Sequence, residues 1–265
     1  MGPDLFAKML LATEGVDVPL DRLEALGRAD LARNQKAMAE ACARFAPGKS
    51  IPVCMDRANA HKAAGGTVTA ASEQLVSLQQ FIRDHDLVSI PGTEQALVRE
   101  SPPYQRYNFA YIDPPGPYEH DVPAFYYVAP PDPHWSAAEQ RAYLPSQANL
   151  LFVSVHEVWP GHFLQALHSN RSASKFGQVF SSYAFNEGWA HYAEEMMWEA
   201  GLGNGDPEAH IGQLTNALLR NARFLSAIGM HTRGMSVEES ERLFREEAYQ
   251  TAPVARQQAD RKSVV

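Results

Sequence analysis

His156, Glu157 and His162 stand in the run His156-Glu157-Val158-Trp159-Pro160-Gly161-His162. A His-Glu pair followed by another histidine has the residue types of the H-E-x-x-H zinc motif. There, two imidazoles one helical turn apart reach one metal, and the glutamate between them faces the bound water. Here the second histidine arrives six residues after the first instead of four. On an unbroken helix six residues turn through about 240°, against about 40° for four, so ideal helical geometry cannot bring both rings to one ion. Pro160 and Gly161 lie between them. Proline interrupts the i→i−4 ladder and glycine tolerates unusual φ/ψ, so the backbone can be re-aimed. The spacing therefore either defeats a shared metal or is the design of the site.

A hydrolytic zinc site needs a third protein ligand and an open position for water. The candidate run is Phe185 to Glu195, with Glu187 lying 25 residues after His162. His191 and Glu194 follow it by four and seven residues, on the same helical face. Burying such groups without a metal or partners is costly, so this face is either solvated or functional. Phe185, Trp189 and Met196 predict that the helix is largely buried. Plainer uses exist for each residue. The chain has ten histidines, so a chance His-Glu near another His is not rare. Glu194 and Glu195 alone would suit a solvated face. His61, His134, His168 and His210 read as surface or capping histidines. Arg220 and Arg223 could clamp a substrate carboxylate, although surface ion pairs are the commoner use of such residues.

The elements that must position these groups are mostly helices. Asp21 to Phe45 is free of proline, with Leu23, Leu26, Met38, Cys42 and Phe45 at mostly helical spacings, and Pro47-Gly48 supplies a stop. Thr69 to His85 carries Leu75, Leu78, Phe81 and Ile82 on one face. Between Ser101 and Pro133 prolines interleave with aromatic residues, which excludes a long helix. Short strands are expected there and just before, at Ala96–Arg99, Tyr107–Ile112 and Ala124–Val128. An edge strand among them could hold an extended substrate by backbone pairing, and a packed aromatic loop is the plainer reading. Further on, Ser146–Val158, Ser174–Ala200, Pro207–Met230 and Ser236–Ala248 read as helices. Asp206-Pro207 and Ser236-Val237-Glu238-Glu239 mark two of their starts. The expected fold class is mainly α, a helical metallopeptidase-like domain with a small β element around residues 96–130.

Composition excludes other classes. With 45% hydrophobic and 20% charged residues in 265, the chain can build a sizeable core and is not a disordered segment. A net charge of −8 argues against nucleic acid as a partner. No apolar run reaches the ~20 residues of a membrane span. Cys42 and Cys54 are too few for a disulfide scaffold. Nucleotide-binding loops and a G-x-S-x-G elbow are absent.

The runs His156 to Gln165 and Asn186 to Glu194 together resemble the bacterial domain-of-unknown-function 885 family, whose members share H-E-x-x-P-G-H-x-x-Q followed by E-G-W-A-x-Y-x-E and are regarded as zinc metallopeptidases. The resemblance runs through nearly the whole chain, and two long motifs in the right order are more specific than either alone. It implies one Zn²⁺ held by His156, His162 and Glu187, with Glu157 as the catalytic acid/base and His231 near the site. Gln165, Asn186, His191 and Glu194 would then orient the ligands. Tyr192 or His231 could donate to the oxyanion. Tyr192, Arg220 and Arg223 would contact substrate.

The expected activity is metal-assisted hydrolysis of a peptide or small amide. A metal hydrolase of non-peptide amides or esters would use the same residues. A helical binding module without catalysis is the alternative of a different class. A di-iron bundle would want Glu-x-x-His pairs, which Glu187 and His191 at a spacing of four do not form. Family members are longer, so residues 1–259 are expected to form a single catalytic region within a larger protein. The tail Asp260 to Val265 departs from the family. The codons GAT CGG AAG AGC GTC GTG would encode it and read like a sequencing adapter, so a non-native tail is expected. There is no signal peptide in the chain, and cytoplasmic, periplasmic and secreted locations are all compatible with it, as is any oligomeric state.

Overall fold

The computed structural model describes residues 2–119 and 121–263, with the backbone alone for 261–263. Val264 and Val265, the end of the expected non-native tail, therefore lie outside the described residues. Along the chain the elements are α1 (Pro3–Glu14), α2 (Leu20–Phe45), α3 (Ile51–Ala60), α4 (Thr67–Asp84), β1 (Ala96–Glu100), β2 (Ala110–Asp113) and β3 (Ala124–Val128). They continue with α5 (Ala137–Tyr143), α6 (Gln147–Glu157), α7 (His162–Asn170), α8 (Lys175–Val179), α9 (Tyr183–Glu199), α10 (Pro207–Thr232), α11 (Val237–Arg242) and α12 (Ala252–Ser263). The fold is mainly α with a small β element.

Two compact units divide these elements. One comprises Met1–Ala60, Pro131–Pro145 and His210–Val265; the other comprises His61–Pro130 and Ser146–Ala209. In the first, α2 presents Leu31, Asn34, Met38, Ala41 and Cys42 as its buried stripe, and Leu26 is exposed. This corrects the expected stripe, which placed Leu26 inward. The stripe packs with Cys54 and Ala58 of α3 and with Leu214, Leu218, Ala222 and Leu225 of α10. Cys42 and Cys54 form a disulfide that staples α2 to α3. Ser236 starts α11 with a full capping box, and Leu243–Glu247 continues it as a π-helical turn.

The second unit holds the functional candidates. Its sheet has the order β1-β3-β2, with β1 parallel and β2 antiparallel to β3, so β1 and β2 are the edges. Strand β3 alternates: Ala124, Tyr126 and Val128 are buried, while Phe125 and Tyr127 are half-buried on the other face. The buried residues join Leu75, Leu78 and Ile82 of α4 and Leu150, Phe152 and Val155 of α6 in one core. Fully burying a side chain such as Phe152 contributes roughly 1.5–3 kcal/mol. Two expected elements differ. The strand predicted from Tyr107 begins only at Ala110. The helix predicted over Ser174–Ala200 is two helices, because residues 180–182 are not helical and Ser182 caps the start of α9 by accepting the Phe185 N–H at 3.2 Å.

Candidate metal centre

The centre is assembled from the end of α6, the start of α7 and the first half of α9. Ser146 caps α6 by accepting the Asn149 N–H at 3.1 Å, and the helix runs to Glu157. The ladder fails where Pro160 lacks a donor. The Gly161 N–H bonds back to the Val155 carbonyl at 2.9 Å, and α7 starts at His162. The Trp159–Pro160 peptide is cis. Glycine is required at 161 by close approach: a Cβ there would stand 1.8 Å from the His156 carbonyl oxygen. His156 and His162 thus belong to two helices, and the six-residue spacing resolves into a re-aimed turn. Their rings lie 4.7 Å apart, centre to centre, at 82°.

From α9, Glu187 Oε2 approaches His156 Nε2 at 3.6 Å, and Oε1 approaches His162 Nε2 at 3.9 Å. One ligand atom from each of the three residues lies within 4.8 Å of the other two, so His156, His162 and Glu187 can hold a metal ion. Two imidazoles and one carboxylate are a donor set suited to a divalent transition metal. The surroundings fit that use. His156 Nδ1 meets Glu194 Oε1 at 2.9 Å, and this carboxylate is completely buried, which orients the ring and leaves Nε2 toward the other donors. The Gln165 amide of α7 donates to Asn186 Oδ1 of α9, and Asn186 in turn donates to Ser181 Oγ at 3.1 Å.

The rest of the α9 face grades from open to closed. Tyr183 is 62% exposed, the Glu187 side chain 39%, the His191 side chain 31% and Glu194 0%. The expectation that α9 is largely buried therefore holds only toward its C-terminal end, at Ala190, Ala193, Glu194 and Met197. Phe185 and Tyr192 are exposed because both project away from that packed stripe. His191 Nδ1 stands 4.0 Å from Glu194 Oε1.

Glu157 is buried beside His156 at the end of α6. The Tyr126 hydroxyl lies 3.4 Å from Ser154 Oγ, and Ser154 donates to Gln74 Oε1 at 3.0 Å. Burial pushes the Tyr126 hydroxyl far above the ordinary phenol range, with the negative charge of Glu157 adding to the rise and the Ser154 bond opposing it.

Three expected site residues belong to the other unit. Arg220 donates to its own helix at the Asn216 carbonyl (3.1 Å), and Arg223 donates Nε–H to Gln258 Oε1 (2.7 Å). His231 stacks on Phe6 with ring centres 5.8 Å apart. Of the other histidines, His61 pairs with Glu208 at 2.8 Å and His168 with the Ser89 carbonyl at 2.9 Å. The sequence marks Trp189 as an apolar residue and as the tryptophan of the E-G-W-A run, and in the fold its indole N–H donates to the Pro160 carbonyl at 2.9 Å. The position two residues after Glu187 was the available signal.

The model of a family described as a bacterial protein of unknown function, DUF885, matches residues 1–265. No curated relative matches the chain. A candidate lipoprotein of unknown function from Shewanella oneidensis is structurally similar, with a TM-score of 0.84 and 25% identity, over 100% of this chain and 50% of that one. A second, a candidate lipoprotein from Colwellia psychrerythraea, has a TM-score of 0.78 and 18% identity over 97% of this chain and 45% of its own. The chain thus spans about half the length of these solved structures.

Proposed function

The chain belongs to the DUF885 family of bacterial proteins, and from that premise we propose that it is a zinc-dependent hydrolase acting on peptide bonds. The observation that carries the reading is the meeting of His156, His162 and Glu187 donor atoms within 4.8 Å, next to a buried glutamate. A zinc ion held by those three supplies Lewis acidity, which lowers the pKa of water and polarises a carbonyl.

The residues of the chain do the rest. Glu157 accepts the proton of the attacking water and returns it to the leaving amine. Glu194 holds the His156 ring with Nε2 facing the other donors, and Gln165 and Asn186 tie α7 to α9. The more exposed Glu187 side is where an extended substrate enters, and Tyr192, exposed on α9, is available to contact it. A metal hydrolase of non-peptide amides or esters would use the same groups.

No described helix is long and apolar enough to cross a membrane. A location outside the cytoplasm is favoured by the candidate lipoproteins among the structural matches and by the Cys42–Cys54 disulfide, since such bonds persist in oxidising compartments.

The test is metal quantification of the purified chain together with a peptide-library digest. About one zinc per chain, with peptide cleavage that a chelator abolishes and zinc restores, is the expected result. Stoichiometric zinc with no cleavage of any peptide, but cleavage of small amides or esters, would reassign the substrate. A chain that takes up no metal would overturn the reading.

A further inference from the structure

Resting on the metal reading above, we propose that Trp189 is a positioning residue of the centre: its indole N–H anchors the Pro160 carbonyl and so sets where His162 stands relative to His156 and Glu187. The two helices that carry these histidines are joined by four residues outside both, Val158 to Gly161. Their geometry is not supplied by a helical repeat and must come from tertiary contacts. Backbone bonds secure the link on the α6 side. Gly161 N–H reaches the Val155 carbonyl at 2.9 Å, and Trp159 N–H reaches the Ser154 carbonyl at 3.3 Å.

The α7 side is different. On a continuous helix the Leu164 N–H would bond to the Pro160 carbonyl, four residues earlier. It bonds instead to the Val158 carbonyl at 3.3 Å. The Pro160 carbonyl is thereby turned out of the helical ladder and accepts the Trp189 indole N–H at 2.9 Å. A carbonyl released from its ladder in a half-buried place needs a donor, and tryptophan offers one from a rigid, two-torsion side chain.

The donor sits on the right helix for the task. Trp189 is two residues from Glu187, on α9, which is anchored by the buried Ala190, Ala193 and Met197. The helix that carries the third ligand thus also holds the turn between the first two. Asn186 on the same helix engages Gln165 of α7, and Glu194 engages His156 of α6. Trp189 supplies the contact to the segment between them.

The test replaces Trp189 with Phe, which keeps an aromatic ring and deletes the donor. Zinc affinity is read by competition with a chromophoric chelator, and coordination geometry by the visible d–d absorption of the cobalt-substituted chain. Trp189→Phe is expected to weaken zinc binding by about tenfold or more, as loss of groups that orient ligands does. Its cobalt spectrum is expected to shift, with helical content by circular dichroism unchanged. Unchanged affinity and an unchanged cobalt spectrum in a folded variant overturn the proposal while leaving the metal centre standing. Should Trp189→Phe fail to fold, β-(3-benzothienyl)alanine at 189 keeps the ring size and removes only the N–H, and the same two readings decide. A wild-type chain that takes up neither zinc nor cobalt overturns both this proposal and the reading it rests on.

Discussion

Glu194 Oε1 lies 2.9 Å from Nδ1 of His156, and both side chains are sealed from solvent, the first at 0% and the second at 5% exposure. A carboxylate in that place accepts the Nδ1–H, fixes the tautomer and raises the basicity of Nε2. Glu194→Gln keeps an acceptor of the same shape and loses the charge. It is expected to weaken zinc binding by about tenfold, and Glu194→Ala by about a hundredfold, measured by competition with a chelator. Equal affinity in all three proteins would show that Glu194 packs the helix and does not tune the ligand.

Glu157 is next to His156, a proposed ligand, but is not one of the converging three. Glu157→Gln should therefore retain about one zinc per chain while hydrolysis falls by roughly 10²–10⁴-fold, the usual contribution of a general base. Full activity with metal bound would remove Glu157 from the mechanism.

Gly161 has no room for a side chain, its Cβ position being 1.8 Å from the His156 oxygen and 2.5 Å from the Val155 oxygen. Those atoms are backbone, so relief requires moving the end of α6 or the start of α7. Gly161→Ala is expected to lose stoichiometric zinc. Unchanged helical content by circular dichroism and a retained cooperative thermal transition in this variant separate a local defect from general misfolding.

The fully buried Tyr126 gives a pH dependence of stability. Its folded pKa is raised above the unfolded value of 10.0, first by burial and further by Glu157. The contribution is present in full below about pH 10 and is lost as pH rises, because the unfolded chain gives up a proton that the folded one keeps. Tyr126→Phe should show a shallower alkaline decline in denaturant midpoint above that pH than wild type. Parallel declines would mean that the hydroxyl is solvated.

The disulfide closes a short loop, its cysteines being 12 residues apart in sequence. Chain entropy assigns a loop of that size about 3 kcal/mol. Reduction, or replacement of both cysteines by alanine, is expected to lower the unfolding temperature by several degrees. Free thiols at both positions in the protein isolated under non-reducing conditions would contradict the pairing.

Much of the local structure was legible because its causes are local. Ser146, Ser182 and Ser236 accept the amides that cap their helices, and such bonds depend on neighbours three residues away. The break at residues 180–182 was not foreseen, since apolar spacing continues through it and only the Ser182 cap marks the restart. Leu26 was misplaced for a related reason: periodicity identifies a stripe, while the partner helix decides which edge of it is covered.

Residue types and order along the chain, His156 and His162 followed by Glu187, were determined by sequence alone, as was the point where a helix could not continue. Whether those three meet was decided by tertiary structure. The four-residue link through Pro160 and Gly161 has no repeat to dictate its direction, so α9 packing against α6 and α7 sets it. The same packing selects Glu194 over Glu195 as the partner of His156 and turns Trp189 toward the Pro160 carbonyl. It is also a fold-level contact, between α2 and α3, that pairs the two cysteines. A metal centre needs donor atoms within a few ångströms, and distances of that kind between remote segments are properties of the packed core.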